Sequence, residues 1–223
     1  MIVSIFEVAG PIMVGPSSSH TAGAARLSRL ATLFLNQPFR HVSFGLHGSF
    51  ARTYHGHGTD LALVAGALGI RQEDEEMKRA FQIAQERGIT YDFYPIDLGD
   101  AHENSVAITF TLEDGSTTQV VGSSIGGGRV LVTSIDGIDT ELTLDSPTLL
   151  VIYEDRPGML SRICAELAYA NINIGILKCS RQKKGGQACS VIETDSPIPQ
   201  DIQQTLTQLR GVQNALILNP SEA

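Results

Sequence analysis

Asp155-Arg156-Pro157-Gly158-Met159-Leu160-Ser161-Arg162-Ile163 leads out of an apolar run into a helix, and Ala170-Asn171-Ile172-Asn173-Ile174 leads from that helix into a second apolar run. Pro157 has the fixed φ that suits a first helical turn, and Gly158 leaves the helix start open to close approach. Leu160, Ile163, Leu167 and Ala170 recur at helical spacing and form the expected inward stripe. On either side, Thr148 to Tyr153 and Ile172 to Cys179 read as strands. Gly185-Gly186 turns the chain into a strand over Ala188 to Glu193, Pro199 to Leu209 reads as a second helix, and Val212 to Leu218 as the last strand. The order βαββαβ predicts a ferredoxin-like unit.

Upstream of this unit, Asp145-Ser146-Pro147 breaks the pattern and reads as a linker between a domain over 1–145 and one over 146–223. In the first, Gly23, Leu27, Leu30 and Phe34 make an apolar helical stripe that ends near Asn36-Gln37-Pro38, and Val42, Phe44 and Leu46 alternate as a half-buried strand. The small residues between Leu61 and Gly69 predict a helix that packs closely on a neighbour. Glu73-Asp74-Glu75-Glu76 opens another, which carries Met77, Phe81 and Ala84 inward and ends at Arg87-Gly88. Ile89 to Ile96, Ser105 to Leu112, Thr117 to Val121, Val130 to Ile135 and Ile138 to Leu144 read as strands, with turns at Asp114-Gly115 and Asp136-Gly137. Residues 1–14 fit an edge strand or a helical turn. The fold class is therefore α+β: an N-terminal α/β sandwich-like domain with a mostly antiparallel sheet, followed by the ferredoxin-like unit.

The 223 residues are 42% hydrophobic, enough for domains with cores of their own. A net charge of -8 and a pI of about 5.2 argue against nucleic acid as a partner, since that demands a basic face. With no basic leader at the N-terminus and no apolar run long enough for a bilayer, a cytoplasmic protein without a membrane partner is expected. Cys164, Cys179 and Cys189 match no tight metal spacing and are expected as buried thiols.

Two polar stretches stand immediately before helices. Gly15-Pro16-Ser17-Ser18-Ser19-His20-Thr21-Ala22-Gly23 sets four hydroxyls and an imidazole there, with Ser19 or Thr21 as the helix cap. The amides around His20 to Gly23 are then placed for an anion such as a carboxylate. The structural alternative is a capped turn with a surface histidine. A serine hydrolase does not fit, because Ser19 and His20 are neighbours that cannot face each other and Gly-x-Ser-x-Gly is unmatched. The second stretch, His47 to Asp60, reads as a loop with Thr59 or Asp60 capping the next helix. There His55 and His57 share a face in extended chain, so a metal site with His47 or Asp60 stands against imidazoles that cap backbone carbonyls. Gly122-Ser123-Ser124-Ile125-Gly126-Gly127-Gly128-Arg129, between two strands, is either an anion nest or a long hairpin loop; it matches neither a Walker A loop nor a dinucleotide fingerprint.

The serine stretch, Gly56-His57-Gly58-Thr59-Asp60 and Gly122 to Gly128 resemble motifs of the β chains of the iron-sulfur-dependent L-serine dehydratases, and residues 148–218 resemble an ACT domain. The resemblance implies an L-serine ammonia-lyase that makes pyruvate and ammonia, in amino-acid catabolism and gluconeogenesis. It implies His20 and His57 as catalytic residues and Ser17, Ser18, Ser19, Thr21, Gly58, Thr59 and Asp60 as substrate-binding ones. In the ACT unit it implies an effector at Asp155, Gly158 and Asn173, and a homodimer through that domain. Asp155 stands where serine-binding members often carry Asn, which sets a monovalent cation beside an amino acid as the ligand.

Removing hydroxide from serine needs a Lewis acid or an electron sink. A pyridoxal phosphate site needs a Schiff-base lysine, and none of Lys78, Lys178, Lys183 and Lys184 is expected beside the serine or histidine loops. Residues 1–163 contain no cysteine for an iron-sulfur cluster. The resemblance supplies what is missing: a [4Fe-4S] cluster carried by a separate α chain, with no metal ligand in this chain. A stand-alone amino-acid-sensing ACT protein and a histidine-metal hydrolase using His47, His55 and His57 are the alternatives from other classes.

Overall fold

Val42, Phe44 and Leu46 are buried while His41, Ser43 and Gly45 alternate with them, so β1 (Phe39–Leu46) presents one apolar face to a helical layer. A computed structural model describes Gly15 and residues 17–220 of the chain. The expectation for residues 1–14, like Pro16, lies outside them. β1 pairs in parallel with β2 (Thr90–Pro95) and antiparallel with β3 (Ser105–Leu112), which in turn pairs antiparallel with β4 (Thr117–Gly126). With β5 (Arg129–Ile135) and β6 (Ile138–Leu142) the hydrogen-bonded order is β2-β1-β3-β4-β5-β6. Asp136 and Gly137 both have positive φ, as the tight turn between β5 and β6 requires.

Over this sheet lie α1 (Ala24–Thr32), entered through a π-helical turn at Ser18–Gly23, and α3 (Thr59–Ala67); the short α2 (Gly48–Thr53) falls inside the stretch expected as a loop. Leu27 and Leu30 of α1 and Leu63 of α3 are buried with Phe44, Ile108 and Phe110 of the sheet. α1 and α3 approach so closely that a Cβ on Gly66 would lie 2.1 Å from the Ala25 carbonyl oxygen. The acidic stretch starts later than expected: Asp74 caps a 3-10 turn at Glu75–Arg79, which runs into α4 (Ala80–Glu86). Met77 and Ala84 are buried, whereas Phe81 is only half-buried and stacks on Tyr91.

Three boundaries differ for identifiable reasons. The first helix stops at Thr32, where the Leu33 amide turns back to the Leu30 and Ala31 carbonyls. β4 continues through Gly126, because Gly122 and Ser123 stay in register with Val106 and Ser105; only Gly127 and Gly128 remain for the hairpin. The third is the division into two compact units, which falls between Thr133 and Ser134, ahead of Asp145-Ser146-Pro147.

The second unit contains β7 (Thr148–Glu154), α5 (Met159–Tyr169), β8 (Ile174–Arg181), β9 (Gln187–Thr194), α6 (Gln200–Gln208) and β10 (Val212–Leu218). Its sheet order β10-β7-β9-β8 is the ferredoxin-like one, as expected. The start of α5 is shifted: Gly158, at φ 85, is the N-cap and Pro157 precedes the helix. The inward stripe is consequently Met159, Ile163 and Leu167, and Leu160 and Ala170 are exposed. Of the cysteines only Cys189 is buried; Cys164 is half-buried, and Cys179 is exposed because it stands on the edge strand β8. β6 packs across β8 and β9, tied by Lys178 Nζ to Glu141 at 2.7 Å and by the Gln182 amide donating to the Asp136 carbonyl at 2.7 Å.

The Gly66 contact is testable. Gly66→Ala must push α1 and α3 apart, and overpacking of this kind costs about 1 to 3 kcal/mol. A drop in thermal midpoint of several degrees is expected in calorimetry; an unchanged midpoint would show that the helices can separate freely.

Candidate functional site

Ser17, not Ser19 or Thr21, begins the first helix. Its extended backbone lets the side-chain oxygen accept the His20 amide at 3.1 Å, while its carbonyl accepts the amides of Thr21 at 3.0 Å and Ala22 at 3.3 Å. The i to i+5 bond from Ala22 is what makes this turn π-helical, a geometry that recurs at functional sites. The amides of His20, Thr21 and Ala22 are thereby engaged inside the turn, so those of Ser18 and Ser19 stand ahead of it. The turn rests on β4, where Ser124 is buried and its Oγ would lie 2.0 Å from a Cβ on Gly23. Ser123 hydrogen-bonds Ser105 side chain to side chain at 2.7 Å. The Gly122-Ser123-Ser124 stretch is thus a packing surface beneath the serine turn rather than an anion nest.

The second stretch arrives through α2. Ser49 donates its amide to the Glu103 carbonyl at 2.7 Å and sets its hydroxyl 3.2 Å from His20 Nε2; Phe50, buried, meets the His20 ring edge-on with centroids 5.3 Å apart. After α2 the chain folds tightly, with the His57 amide donating to Thr53 O and the Thr59 amide to Tyr54 O. Gly58, at φ 67, caps α3 without any side-chain bond. Neither Thr59 nor Asp60 serves as the cap. This turn brings the His57 ring to 4.8 Å from that of His20, centroid to centroid, and the Thr21 hydroxyl donates to the His57 carbonyl at 3.2 Å.

A cleft of about 230 Å³ lies beside His57, lined by Thr21, His57, Gly58, Leu61, Met77 and Lys78 among others. Lys78 reaches it because the 3-10 turn folds back onto α3, so a lysine does stand beside the histidine loop, contrary to expectation. Lys78 is exposed and ion-paired with Glu75. Burial, and after it the positive charge available at His57, hold the His20 imidazole below its ordinary value of 6.5, so His20 is a neutral ring at neutral pH.

Thr59 is completely buried and Asp60 nearly so. The Asp60 carboxylate accepts the His55 Nδ1–H at 2.7 Å and the Leu61 amide at 2.8 Å, and so points back into the chain. His47, His55 and His57 do not converge: His47 Nδ1 accepts the Leu98 amide at 3.1 Å while His55 is held by Asp60. Among the described residues no group of three or more His, Cys, Asp or Glu is placed to hold a metal ion, and no helix is long and apolar enough to cross a membrane.

In the second unit, Asp155 accepts the Gly185 amide at 3.0 Å and an Arg181 N–H at 2.8 Å; these bonds hold its carboxyl below the usual range. Asn173 donates to Asp195 at 2.6 Å. The strand registers place Asp155 beside Gly186 and Asn173 at the opposite end of the sheet, so one copy of the chain does not bring them together. Gly158 has open space around it. Ser49, Phe50, Met77 and Lys78 were not anticipated at the site; no spacing rule connects them to His20, and only the tertiary fold does.

The profile of the serine dehydratase beta chain family matches residues 3–93, and that of an acetohydroxyacid-synthase-small-subunit-like ACT domain matches residues 149–216. The L-serine dehydratase beta chain of Peptoniphilus asaccharolyticus is 41% identical over 204 residues, covering 91% of this chain and 92% of that one. The chain belongs to the L-serine dehydratase β-chain family. A probable L-serine dehydratase beta chain of Bacillus subtilis is 40% identical over 210 residues, 94% of each chain. In this family member the serine and histidine stretches fall within the matched segment 3–93, and the ferredoxin-like unit is its ACT-like domain.

The lowered His20 value has a consequence for stability. An imidazole whose folded pKa is depressed contributes fully above the unfolded value near 6.5, and its contribution is lost as pH falls toward the folded value, because the unfolded chain then binds the extra proton. His20→Gln should therefore flatten the acid side of the thermal-midpoint profile below pH 6.5. An identical slope in wild type and variant would show that His20 is not protected from protonation.

Proposed function

We propose that this chain is the substrate-positioning subunit of an L-serine ammonia-lyase that works with a cluster-bearing α chain to convert L-serine to pyruvate and ammonia. The observation that carries the reading is the contact of His20 with His57 at the serine turn, in a chain closely similar to L-serine dehydratase beta chains. The substrate carboxylate meets the amides and hydroxyls of Ser18 and Ser19 at the positive end of the turn, with Ser17 and Thr21 fixing its shape. Gly58 leaves the cleft open beside His57, while Thr59 and Asp60 support this loop from within.

His20, kept neutral by burial and fixed through Nε2 at Ser49, orients the substrate beside His57, whose imidazole receives the α-proton. Hydroxide leaves the β-carbon and takes up a proton as water; the resulting aminoacrylate tautomerises and hydrolyses to pyruvate and ammonia. The cysteines of this chain do not fit a cluster, since no group of three or more His, Cys, Asp or Glu is placed to hold a metal among the described residues and Cys189 is buried. A [4Fe-4S] cluster on the α chain would supply the Lewis acid at the serine hydroxyl. Lys78 is exposed and ion-paired with Glu75, whereas a Schiff-base lysine is activated by desolvation, so the reading dispenses with pyridoxal phosphate.

Regulation belongs to the ACT domain, with an amino acid or a monovalent cation at Asp155, Gly158 and Asn173. That Asp155 and Asn173 stand at opposite ends of one sheet supports a site assembled from two copies. Ile176 and Leu177 are exposed on β8, one of the sheet's two edge strands, which supports a homodimer there. Ile176→Lys should convert the dimer to monomer in sedimentation velocity of the full chain; a wild-type chain that is monomeric at high micromolar concentration refutes the arrangement.

Reconstitution under anaerobic conditions tests the catalytic reading. The chain alone should make no pyruvate. With the α chain, His20→Ala and His57→Ala should each assemble and keep their thermal midpoint, yet lose about 2 to 4 kcal/mol of transition-state stabilisation, roughly 30- to 1000-fold in kcat/KM. Assembled variants with wild-type kcat/KM would remove both histidines from the active site.

A further inference from the structure

Ser49 is the one described residue whose side chain hydrogen-bonds the His20 ring, with its hydroxyl 3.2 Å from Nε2. We propose that Ser49 is a positioning residue: it donates to Nε2, fixes the His20 tautomer that carries its proton on Nδ1, and so makes the ring a neutral donor to the carboxylate of L-serine. The inference rests on the reading that this carboxylate lies at the serine turn.

Backbone contacts, rather than the Ser49 side chain, place the hydroxyl. The amides of Ser49 and Phe50 both donate to the Glu103 carbonyl, at 2.7 and 3.4 Å, and the His47 amide donates to the Ser105 carbonyl at 3.0 Å. Gly48, at φ 56, lies so close to this loop that a Cβ would stand 2.7 Å from the Glu103 carbonyl oxygen. The start of α2 is therefore pinned, and truncating the Ser49 side chain leaves these bonds in place. From the same helix, buried Phe50 meets the His20 ring at an interplanar angle of 68°, while the His57 ring approaches it at 46°. With two rings against it and Ser49 on Nε2, the imidazole is held in one orientation, and Nδ1 is the nitrogen left for a ligand.

Nδ1 is the ring nitrogen nearer its own backbone, so it stands by the serine turn to which His20 belongs. A neutral imidazole has one N–H donor and one acceptor nitrogen, and a carboxylate only accepts. The nitrogen that meets the substrate must then bear the proton, which leaves a lone pair on Nε2 for the Ser49 O–H. Burial, and after it the charge available at His57, keep the ring from taking a second proton, so this single-donor state is the one present at neutral pH. A doubly protonated ring would leave Ser49 only the role of acceptor, and the hydroxyl would then select nothing. An unconstrained neutral histidine favours its proton on Nε2, so the Nδ1–H form needs a donor at Nε2 to hold it.

The test uses the full-length chain and the reconstituted anaerobic complex. In ¹⁵N spectra of the wild-type chain without its partner, His20 should appear as the Nδ1–H tautomer, and Ser49→Ala should move it to Nε2–H. In the complex, Ser49→Ala should raise KM for L-serine about 10-fold and leave kcat near wild type, the pattern of a charged-group contact shared by ground and transition states. Ser49→Thr, which keeps the hydroxyl, should restore both the tautomer and KM. A merely structural role would lower assembly or kcat and would leave the tautomer alone. An Nε2–H tautomer in the wild-type chain, an unchanged KM in Ser49→Ala, or a KM defect that Ser49→Thr shares overturns the assignment. The wild-type spectrum decides the matter even if the Ala variant fails to assemble. His20→Ala separates the two readings: if it loses kcat/KM while a Ser49 result fails, only the role of Ser49 falls, whereas a fully active His20→Ala complex removes the reading on which it rests.

Discussion

The close approach of α1 to α3 is the constraint on which the histidine pair depends. At Gly66 no side chain fits between α3 and the Ala25 carbonyl, and a Cβ there would also press on the Ser28 side chain at 2.8 Å. Each of these helices is entered through one of the two polar stretches, so their separation sets how near His20 and His57 can come. Gly23 on Ser124 fixes the height of the serine turn above the sheet in the same manner. Close packing of this kind has two discrete outcomes, contact or displacement, because protein interiors deform little. The pair of imidazoles is then held with centroids 4.8 Å apart by the separation of the helices behind them.

Electrostatics follows from that placement. Two imidazoles in contact cannot both gain a proton cheaply, and burial together with the neighbouring ring holds His20 below its ordinary value. The surrounding hydroxyls answer specific polar atoms: Ser17 the His20 amide, Thr21 the His57 carbonyl, Ser49 the His20 ring. A hydrogen bond of this sort contributes about 1 kcal/mol net, but leaving its buried partner unsatisfied costs more, so the set is specific as well as stabilising.

In the ACT-like unit the same reasoning explains which surface is left open. β9 is covered on both faces: Ala188 and Ile192 join the helical core, while Cys189 and Val191 are buried on the side crossed by β6. Burial pushes the Cys189 thiol up to about 11, which makes it unreactive at neutral pH. Tyr153 is likewise raised by burial, and its hydroxyl bridges Cys179 and Ser190. On β8, one of the two edge strands, Ile176 and Leu177 are left exposed.

Much of this was determined by the sequence itself. Alternation in Val42, Phe44 and Leu46 and the order of elements from Thr148 to Leu218 specified the strands and the ferredoxin-like unit, because period-two burial and turn chemistry are local properties. The serine stretch and Gly56 to Asp60 pointed to a polar site and carried the family resemblance. Local chemistry also misled: several side chains suited to capping stood close together, and only the final backbone decided that Ser17 and Gly58 are the caps. Asp60 was indistinguishable from a ligand-facing carboxylate until the turn placed His55 on it. Ser49, Phe50, Met77 and Lys78 joined the site only through tertiary packing, since contacts between residues some thirty positions apart leave no period in the chain. The division at Thr133 was hidden for the same reason: β6 reads as another strand of a meander, and its packing on β8 and β9 is a fact of three dimensions alone.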